Sequence, residues 1–225
     1  FLLATLLFMA GTIFGYLAMT HDKEVAQAYL LPSDMPTIQP TGEGEDEAAP
    51  MYNTDQLTAF SAFLFTHNVS VSLVAFALGI TFGLGTAWLM FYNGVLLGAL
   101  GAVFVEAGQL TAYATGVLPH GVLEIPACLI GGAAGFVLAQ GFLRARPWPR
   151  RQELARMGKE SVLMLFGCVP LLAVAACVEA GVARAPDWFL SKGLKLAVAG
   201  VFALLFLAYI LLLGWGRPAA WENEA

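Results

Sequence analysis

One ten-residue stretch, residues 118–127, places ionisable side chains in an otherwise apolar part of the chain. It reads LPHGVLEIPA, so His120 and Glu124 stand four residues apart and share one face of any helix formed there. An ionised side chain at the centre of a bilayer costs at least about 2.5 kcal/mol and therefore needs a protein partner or water. A carboxylate and an imidazole at this spacing can stabilise each other. With a third group they could hold a proton, a cation or a metal ion.

Other polar side chains fall inside apolar runs or at their edges. These are His67, Asn68, Glu106, Gln109, Tyr113 and Glu179. If residues 94–116 form one helix, Glu106 and Gln109 share a face of it at i, i+3, with Tyr113 one turn further. The topology deduced below places all of these side chains between the membrane centre and its outer surface. We therefore predict one polar cluster in the outer half of the membrane.

A metal site in this cluster would need more than the His120 and Glu124 pair. Zinc sites use at least three protein ligands, and His67 or Glu106 could supply the third. The sequence does not show that these side chains meet. A buried polar network that fixes the arrangement of the helices is the alternative interpretation of the same residues.

The backbone chemistry of the same segment is also unusual. Pro119 suits the first turn of a helix, so we predict a helix that begins there with its free N–H groups and positive dipole end beside His120. Gly121 leaves room next to the imidazole. Pro126 cannot donate a hydrogen bond to the carbonyl of Val122, which predicts a kink within that turn.

The composition is that of a membrane protein. Of 225 residues, 59% are hydrophobic and 12% are charged, whereas about 25% of a soluble domain is charged. A helix that crosses the hydrocarbon core needs about 20 apolar residues. Six runs approach or exceed that length: 1–20, 68–91, 94–116, 119–143, 161–182 and 194–214. The predicted fold class is all-α, a polytopic bundle of six kinked, glycine-rich transmembrane helices.

Glycines four residues apart occur in three of these runs. The pairs are Gly79 and Gly83, Gly94 and Gly98, and Gly131 and Gly135. Small residues at this spacing let helix backbones approach closely in lipid. We therefore predict tight packing of the second, third and fourth runs, and the same faces could form a homodimer.

The charges are distributed asymmetrically along the chain. Six of the eleven basic residues lie between Arg144 and Lys159. By the positive-inside rule we predict that this segment is cytoplasmic. The acidic loop at 21–67 then lies outside, and both termini lie in the cytoplasm. We predict a multi-pass protein of the cytoplasmic membrane of a prokaryote that contacts lipids and other membrane or envelope proteins and binds no nucleic acid.

The chain divides into six predicted segments. They are the first helix at 1–20, which begins inside an apolar run so that an upstream part is expected; an acidic outer loop with an interfacial amphipathic helix at 21–67; a three-helix core around the polar cluster at 68–143; a basic segment at 144–160; two last helices at 161–214; and a cytoplasmic tail at 215–225. The basic segment is either an amphipathic helix on the inner surface or a solvated linker held by lipid phosphates.

No complete catalytic set is visible. The sequence contains no GxSxG, HExxH or GxxxxGK motif. The cysteines Cys128, Cys168 and Cys177 lie in apolar runs without metal-binding spacing, and we predict reduced core residues. We therefore expect no enzyme activity, no cofactor and no bound metal.

Several motifs together resemble the stage II sporulation protein M family over about residues 57–182. The family-like positions are Asn68, Asn93, Gly94, Pro119, His120, Gly121 and Glu124, of which the PHGxxE segment is the most specific. Family members often carry two asparagines before the second span, where this chain has His67 and Asn68. The resemblance implies an integral protein of the cytoplasmic membrane. In spore formers the family's namesake works with two cell-wall hydrolases, and relatives elsewhere are often encoded near MoxR-type ATPases.

Three functional hypotheses follow. The first is a membrane scaffold that positions envelope-remodelling hydrolases or an ATPase. The second is a transporter or channel for a small solute, an ion or a lipid that uses the polar cluster. The third is an intramembrane metal-dependent hydrolase built on His120, Glu124 and a third ligand.

Overall fold

A computed structural model describes residues 1–22, 66, 68–143, 149–183, 185 and 188–213 of the chain. These residues are helical apart from short turns, which confirms the predicted all-α class. The helices are α1 Leu2–His21, α2 Asn68–Thr81, α3 Leu84–Glu106, α4 Leu110–Leu143, α5 Arg150–Val178 and α6 Lys192–Leu213. The last turn of α2, Leu78–Thr81, is a 3-10 helix, and α5 continues into a π-helical turn, Glu179–Ala183.

Four of these helices are long and apolar enough to cross a membrane. They are α1, α3, the part of α4 from Tyr113 onward, and α5 with its extension to Val182. α2 is apolar but shorter. α6, with 22 residues, occupies the position of the sixth predicted run. The outer loop, the cytoplasmic tail and His67 lie outside the described residues.

The break between the second and third helices is not where the sequence placed it. The predicted run 68–91 is divided at Phe82 and Gly83, which have φ angles of 57° and 84°. Thr81 fixes the turn, because its hydroxyl donates to the Leu78 carbonyl (2.6 Å) and accepts from the Gly85 N–H (2.8 Å). The prediction was wrong because the turn residues are as apolar as the helices on either side.

The predicted boundary between the third and fourth runs is also wrong. α3 ends at Glu106, and Gly108 reverses the chain with a φ of 71°. α4 then begins at Leu110, so Pro119 lies inside the helix rather than in its first turn. The predicted helix N-terminus beside His120 therefore does not exist. Neighbouring helices allow an internal proline in a membrane helix, and α4, with 34 residues, is about 51 Å long.

Glycines bring α1 and α3 into backbone contact. A Cβ built on Gly94 would overlap the Phe8 carbonyl, and one on Gly98 would overlap the Thr12 carbonyl. Glycines on α1 are equally close to α3, with Gly11 against Phe91 and Gly15 against Val95. Contacting residue numbers rise together along both helices, so α1 and α3 run parallel. The tight packing predicted for Gly94 and Gly98 is present, but its partner is α1, which the sequence analysis did not identify.

A second set of small residues joins α2 to α4. A Cβ on Gly79 would overlap the Gly135 carbonyl, and a Cβ on Gly131 would lie 3.0 Å from Ser72. The hydroxyl of Thr86 on α3, fully buried, donates to the Ala75 carbonyl of α2 at 2.8 Å. These contacts agree with the close packing predicted for these runs. They also leave little space for water between α2, α3 and α4.

The described part of the basic segment is helical and continuous with the fifth span. α5 begins at Arg150, and residues 144–148 lie outside the described residues. Arg156 pairs with the buried Glu153 and with Glu160, with N–O distances of 3.1 Å to each. No boundary at residue 160 separates a surface helix from a membrane helix.

The glycine contact between α1 and α3 gives a direct test of the packing. Replacing Gly98 with alanine should lower the apparent Tm in mild detergent by about 2–10 °C, because overpacking costs about 1–3 kcal/mol. The matched control is Gly158→Ala on α5, where a Cβ meets nothing within 4 Å. That change should leave the Tm unaltered or raise it slightly, since alanine favours helix more than glycine does. Equal effects of both changes would contradict the packing.

Candidate polar site in the membrane region

The polar site is built from three helices, α2, α4 and α5. Asn68, in the first turn of α2, donates from its side-chain Nδ2 to Oε1 of Glu124 on α4 at 2.7 Å. These residues are 56 positions apart in sequence. The contact therefore depends on the packing of α2 along α4 that the small residues permit.

His120 lies between two carboxylates. Its Nε2 is 3.9 Å from Oε2 of Glu124, one turn along α4, and its Nδ1 contacts Oε2 of Glu179 at the end of α5. The 3.9 Å separation from Glu124 is beyond hydrogen-bond distance, so the close contact of the ring is with Glu179. The imidazole thus joins α4 to α5.

The three ionisable side chains are partly shielded. Their exposed fractions are 15% for His120, 20% for Glu124 and 11% for Glu179. Electrostatic interactions are strengthened where water is scarce, and an unpaired charge is costly there. The pairing of unlike groups across α4 and α5 offsets part of that cost.

Glu179 lies where the geometry of the helix changes. It begins the π-helical turn Glu179–Ala183 that ends α5. A π-turn shifts the direction of the side chains that follow, and such turns are often found at functional sites. Here the turn coincides with the residue that reaches His120.

Four of the predicted site residues come together: Asn68, His120, Glu124 and Glu179. Glu106 and Gln109 do not share a helical face as predicted, because the chain turns between them at Gly108. Glu106 ends α3 and is exposed, and Gln109 lies in the turn before α4. His120 is ten residues beyond Leu110, about 15 Å along α4 from that turn.

The remaining motif residues lie inside helices α3 and α4. Asn93 donates to the Leu89 carbonyl of its own helix at 2.7 Å, and Gly94 contacts α1. Both lie inside α3 rather than beside a loop. Pro119 and Gly121 are buried within α4. They occupy the turn that carries His120.

The pairing of His120 with Glu179 was not foreseen, although each residue was a candidate. A signal for it exists in the sequence. Glu179 is the only carboxylate in the apolar part of the fifth run, and an antiparallel α4 and α5 bring it level with His120. Cys168 on α5, which donates to the Ala127 carbonyl on α4 at 3.3 Å, fixes the same register.

Within the described part of the chain, no group of three or more His, Cys, Asp or Glu side chains is placed to hold a metal ion. His120 contacts carboxylates through both ring nitrogens, and Glu124 is engaged by Asn68. The geometry is that of a cluster of ionisable side chains with one hydrogen bond, from Asn68 to Glu124. It gives the metal-hydrolase hypothesis no support.

Comparison with known proteins identifies the family of the chain. A family model described as stage II sporulation protein M matches residues 4–184, which contain α1 to α5 and the whole polar site. The chain belongs to the stage II sporulation protein M family. The match extends well before residue 57, so α1 and its contact with α3 are part of the family region.

A relative of this family member is an uncharacterised protein of Methanocaldococcus jannaschii. The two are 31% identical over 136 residues, which cover 60% of this chain and 65% of the relative. The chain thus spans somewhat less than two thirds of that relative's length. No solved structure matches the chain. The family and the apolar helices together identify a multi-pass membrane protein.

The cluster should contribute to stability as a unit. Replacing His120 with alanine is expected to destabilise the protein by roughly 1–3 kcal/mol, because two carboxylates lose their partner. The expected fall in apparent Tm is about 2–10 °C. His21→Ala, in the exposed last turn of α1, is the control and should change nothing.

A double-mutant cycle separates the His120 contact from general packing. Glu179→Gln should cost much less stability in the His120→Ala background than in the wild type, because its partner has already gone. Additive effects of the two changes would show that the imidazole and the carboxylate do not interact.

Proposed function

We propose that this family member is a membrane scaffold without catalytic activity of its own, which holds envelope-remodelling enzymes or an ATPase at the cytoplasmic membrane. The observation that carries the proposal is the internal pairing of the polar site. Asn68, Glu124, His120 and Glu179 contact one another across α2, α4 and α5. Side chains paired in this way serve to fix helices rather than to attack a substrate.

The glycine contacts support the same interpretation. Backbone-to-backbone packing of α1 on α3 and of α2 on α4 gives a rigid frame, since close-packed interiors change little in shape. A rigid frame suits a protein whose role is to present fixed surfaces. Family membership adds support, because the implied partners of the namesake are cell-wall hydrolases.

We infer six membrane crossings with both termini in the cytoplasm. α1 and α3 run parallel, so the chain between them returns through α2, which supports α2 as a short crossing. α4, α5 and α6 then alternate in direction. The basic residues near Arg150 belong on the cytoplasmic side by the positive-inside rule.

A docking surface for a cytoplasmic partner is available on the first turn of α5. Arg150 and Arg151 are exposed, whereas Arg156 is engaged by Glu153 and Glu160. A cationic surface of this kind raises the rate of association with an acidic partner. It could equally hold lipid phosphates, which the experiment below distinguishes.

Recovery of the tagged protein from native membranes in mild detergent tests the scaffold. We expect a cell-wall hydrolase or a MoxR-type ATPase to be recovered with the wild type. Reversing charge with Arg150→Glu and Arg151→Glu should reduce recovery of a cytoplasmic ATPase several-fold. The control, Arg150→Lys and Arg151→Lys, keeps the charge and should recover the wild-type amount.

The outcome that overturns the proposal is a stable, correctly folded preparation from which neither class of partner is recovered under any of these conditions. Unchanged recovery of partners by the glutamate variant, together with weaker binding of added anionic lipid, would assign the cationic surface to lipid phosphates.

A specific observation also favours transport as a second candidate function. Two carboxylates and an imidazole lie within the membrane-spanning part of the bundle and retain partial exposure, and intramembrane ionisable groups commonly mark ion or substrate pathways. Proton and sodium flux into proteoliposomes should then fall at least tenfold with Glu124→Gln. Glu160→Gln, a carboxylate outside the cluster, should leave flux unchanged. Absence of flux in the wild type under an imposed gradient would exclude these ions as cargo.

A further inference from the structure

Two pairs of aromatic side chains that each include a tryptophan protrude from the described part of the bundle. Trp88 stacks on Tyr92, one turn along α3, with ring centroids 6.2 Å apart. Trp188 meets Phe189 edge to face at 6.0 Å in the turn before α6. The exposed fractions of Trp88, Trp188 and Phe189 are 65%, 74% and 70%. Exposed apolar surface of this size marks a contact with a partner or with lipid.

Helix contacts place the first pair toward one end of the bundle. Met90 of α3 contacts Gly132 of α4. Further along α3, Gly101 lies against Tyr113, near the start of α4. Residue numbers thus rise on α3 as they fall on α4, so the two helices are antiparallel. Trp88 precedes Met90 and therefore lies beyond Gly132, toward the C-terminal end of α4.

The second pair lies toward the other end of the bundle, beyond the polar site. Glu179 begins the π-helical turn at the end of α5 and contacts His120 of α4. α5 runs antiparallel to α4, since Cys168, earlier on α5, contacts Ala127, later on α4. The chain after Glu179 therefore continues toward the N-terminal end of α4. Trp188 follows in the turn that leads into α6.

The separation of the two tryptophans fits opposite sides of a bilayer. From His120 to Gly132 is twelve residues of α4, about 18 Å along the helix. Each tryptophan lies beyond one of these two residues, so the indoles are farther apart than that distance along the bundle. The hydrocarbon core is about 30 Å thick, and a polar layer of about 5–7 Å bounds it on each side. Two indoles at one depth in the membrane would not show this separation.

The turn that carries Trp188 is short and is held against the bundle. The N–H of Ala185 donates to the Val182 carbonyl at 3.2 Å, and Ala185 is buried. Ser191 then caps α6, where its hydroxyl accepts from the Leu194 N–H at 3.4 Å. Trp188 stands three residues before Ser191, at most about 11 Å away. The indole is therefore kept close to the end of a membrane helix and cannot reach far into water.

The chemistry of the side chains selects the head-group layer as their partner. An indole combines a large apolar ring with one N–H donor, so it is most stable where hydrocarbon meets polar groups. Lipid phosphates supply acceptors in that layer. A deeper position would leave the indole N–H without a partner, and a position in water would leave the rings exposed. The phenol of Tyr92 has the same preference.

We propose that the two pairs are anchors that bind the head-group layers of opposite leaflets. The α3 anchor is Trp88 with Tyr92, and the turn anchor is Trp188 with Phe189. Both are independent of the scaffold role. The π-helical turn that begins with Glu179 ends at Ala183, five residues before Trp188. The turn anchor therefore places the polar site near one head-group layer rather than at the centre of the membrane.

Fluorine NMR of the full chain, labelled with 5-fluorotryptophan and embedded in phospholipid nanodiscs, tests the proposal. Trp88→Phe and Trp188→Phe assign the two signals. One probe is a lipid with a nitroxide on its head group, and the other is a lipid with a nitroxide at the end of its acyl chain, about 15 Å deeper. We expect the head-group probe to broaden both signals at least about threefold more than the chain-end probe does, because its nitroxide lies in the same layer as the indoles.

A tryptophan at a lipid-facing position in the middle of α6 provides the matched control. Leu204 is 67% exposed. It lies twelve residues after Lys192, about 18 Å along a helix of about 33 Å. The additional signal of Leu204→Trp should show the reverse order, with more broadening by the chain-end probe, because the chain ends meet at the membrane centre.

Two results would overturn the proposal. Stronger broadening of the Trp88 or the Trp188 signal by the chain-end probe would place that indole in the hydrocarbon core. Broadening of the Trp188 signal by a water-soluble gadolinium chelate, but by neither lipid probe, would place the turn in water. The exposed aromatic pair would then be a docking surface for a soluble protein instead of a lipid anchor.

Discussion

The structure depends on one constraint: helices in lipid gain no hydrophobic energy by leaving lipid for each other. Association therefore relies on close packing and on polar contacts. The chain uses close packing, the first of these means, where α1 meets α3. Four glycines place the two backbones in contact, Gly11 and Gly15 on one helix and Gly94 and Gly98 on the other. Any side chain at these positions would separate the helices, so the absence of Cβ atoms is what holds them together.

The second means, polar contact, joins α5 to α4 and adds to the glycine contacts between α2 and α4. α5 meets α4 mainly through ordinary side chains, although Gly141 of α4 comes near it, with 3.3 Å between a built Cβ and Leu154. At its far end the contact of Glu179 with His120 ties α5 to α4, and Asn68 ties α2 to the same helix through Glu124. The polar site thus lies where three helices converge. Its side chains have a structural role even if they also bind a ligand.

Several features of this architecture could be predicted from the sequence. The apolar composition fixed the class of protein, and PHGxxE identified the helix that carries His120 and Glu124. The turn at Phe82 and Gly83 could not be located, because it is made of residues as apolar as the helices it joins and leaves no mark on hydropathy. The contact of His120 with Glu179 depends on the register of α4 against α5, for which the isolated carboxylate of Glu179 in the fifth run was the available signal.

The proline at position 119 shows how a correct rule gave a wrong boundary. Proline is favoured in the first turn of a helix because its missing N–H is not needed there. In a membrane bundle the same residue is accepted inside a helix, where packing maintains the backbone around it. Pro119 is fully buried in α4, one residue before His120. Its rigid ring therefore helps to fix the turn of helix from which the imidazole projects.

The family match covers one part of the molecule and leaves α6 outside it. The match ends at residue 184, so α1 to α5, every glycine contact between helices described above and the whole polar site fall inside it. α6 lies beyond it, and within the described residues its main contact is with α4. Whatever the family has in common must therefore reside in the frame of α1 to α5.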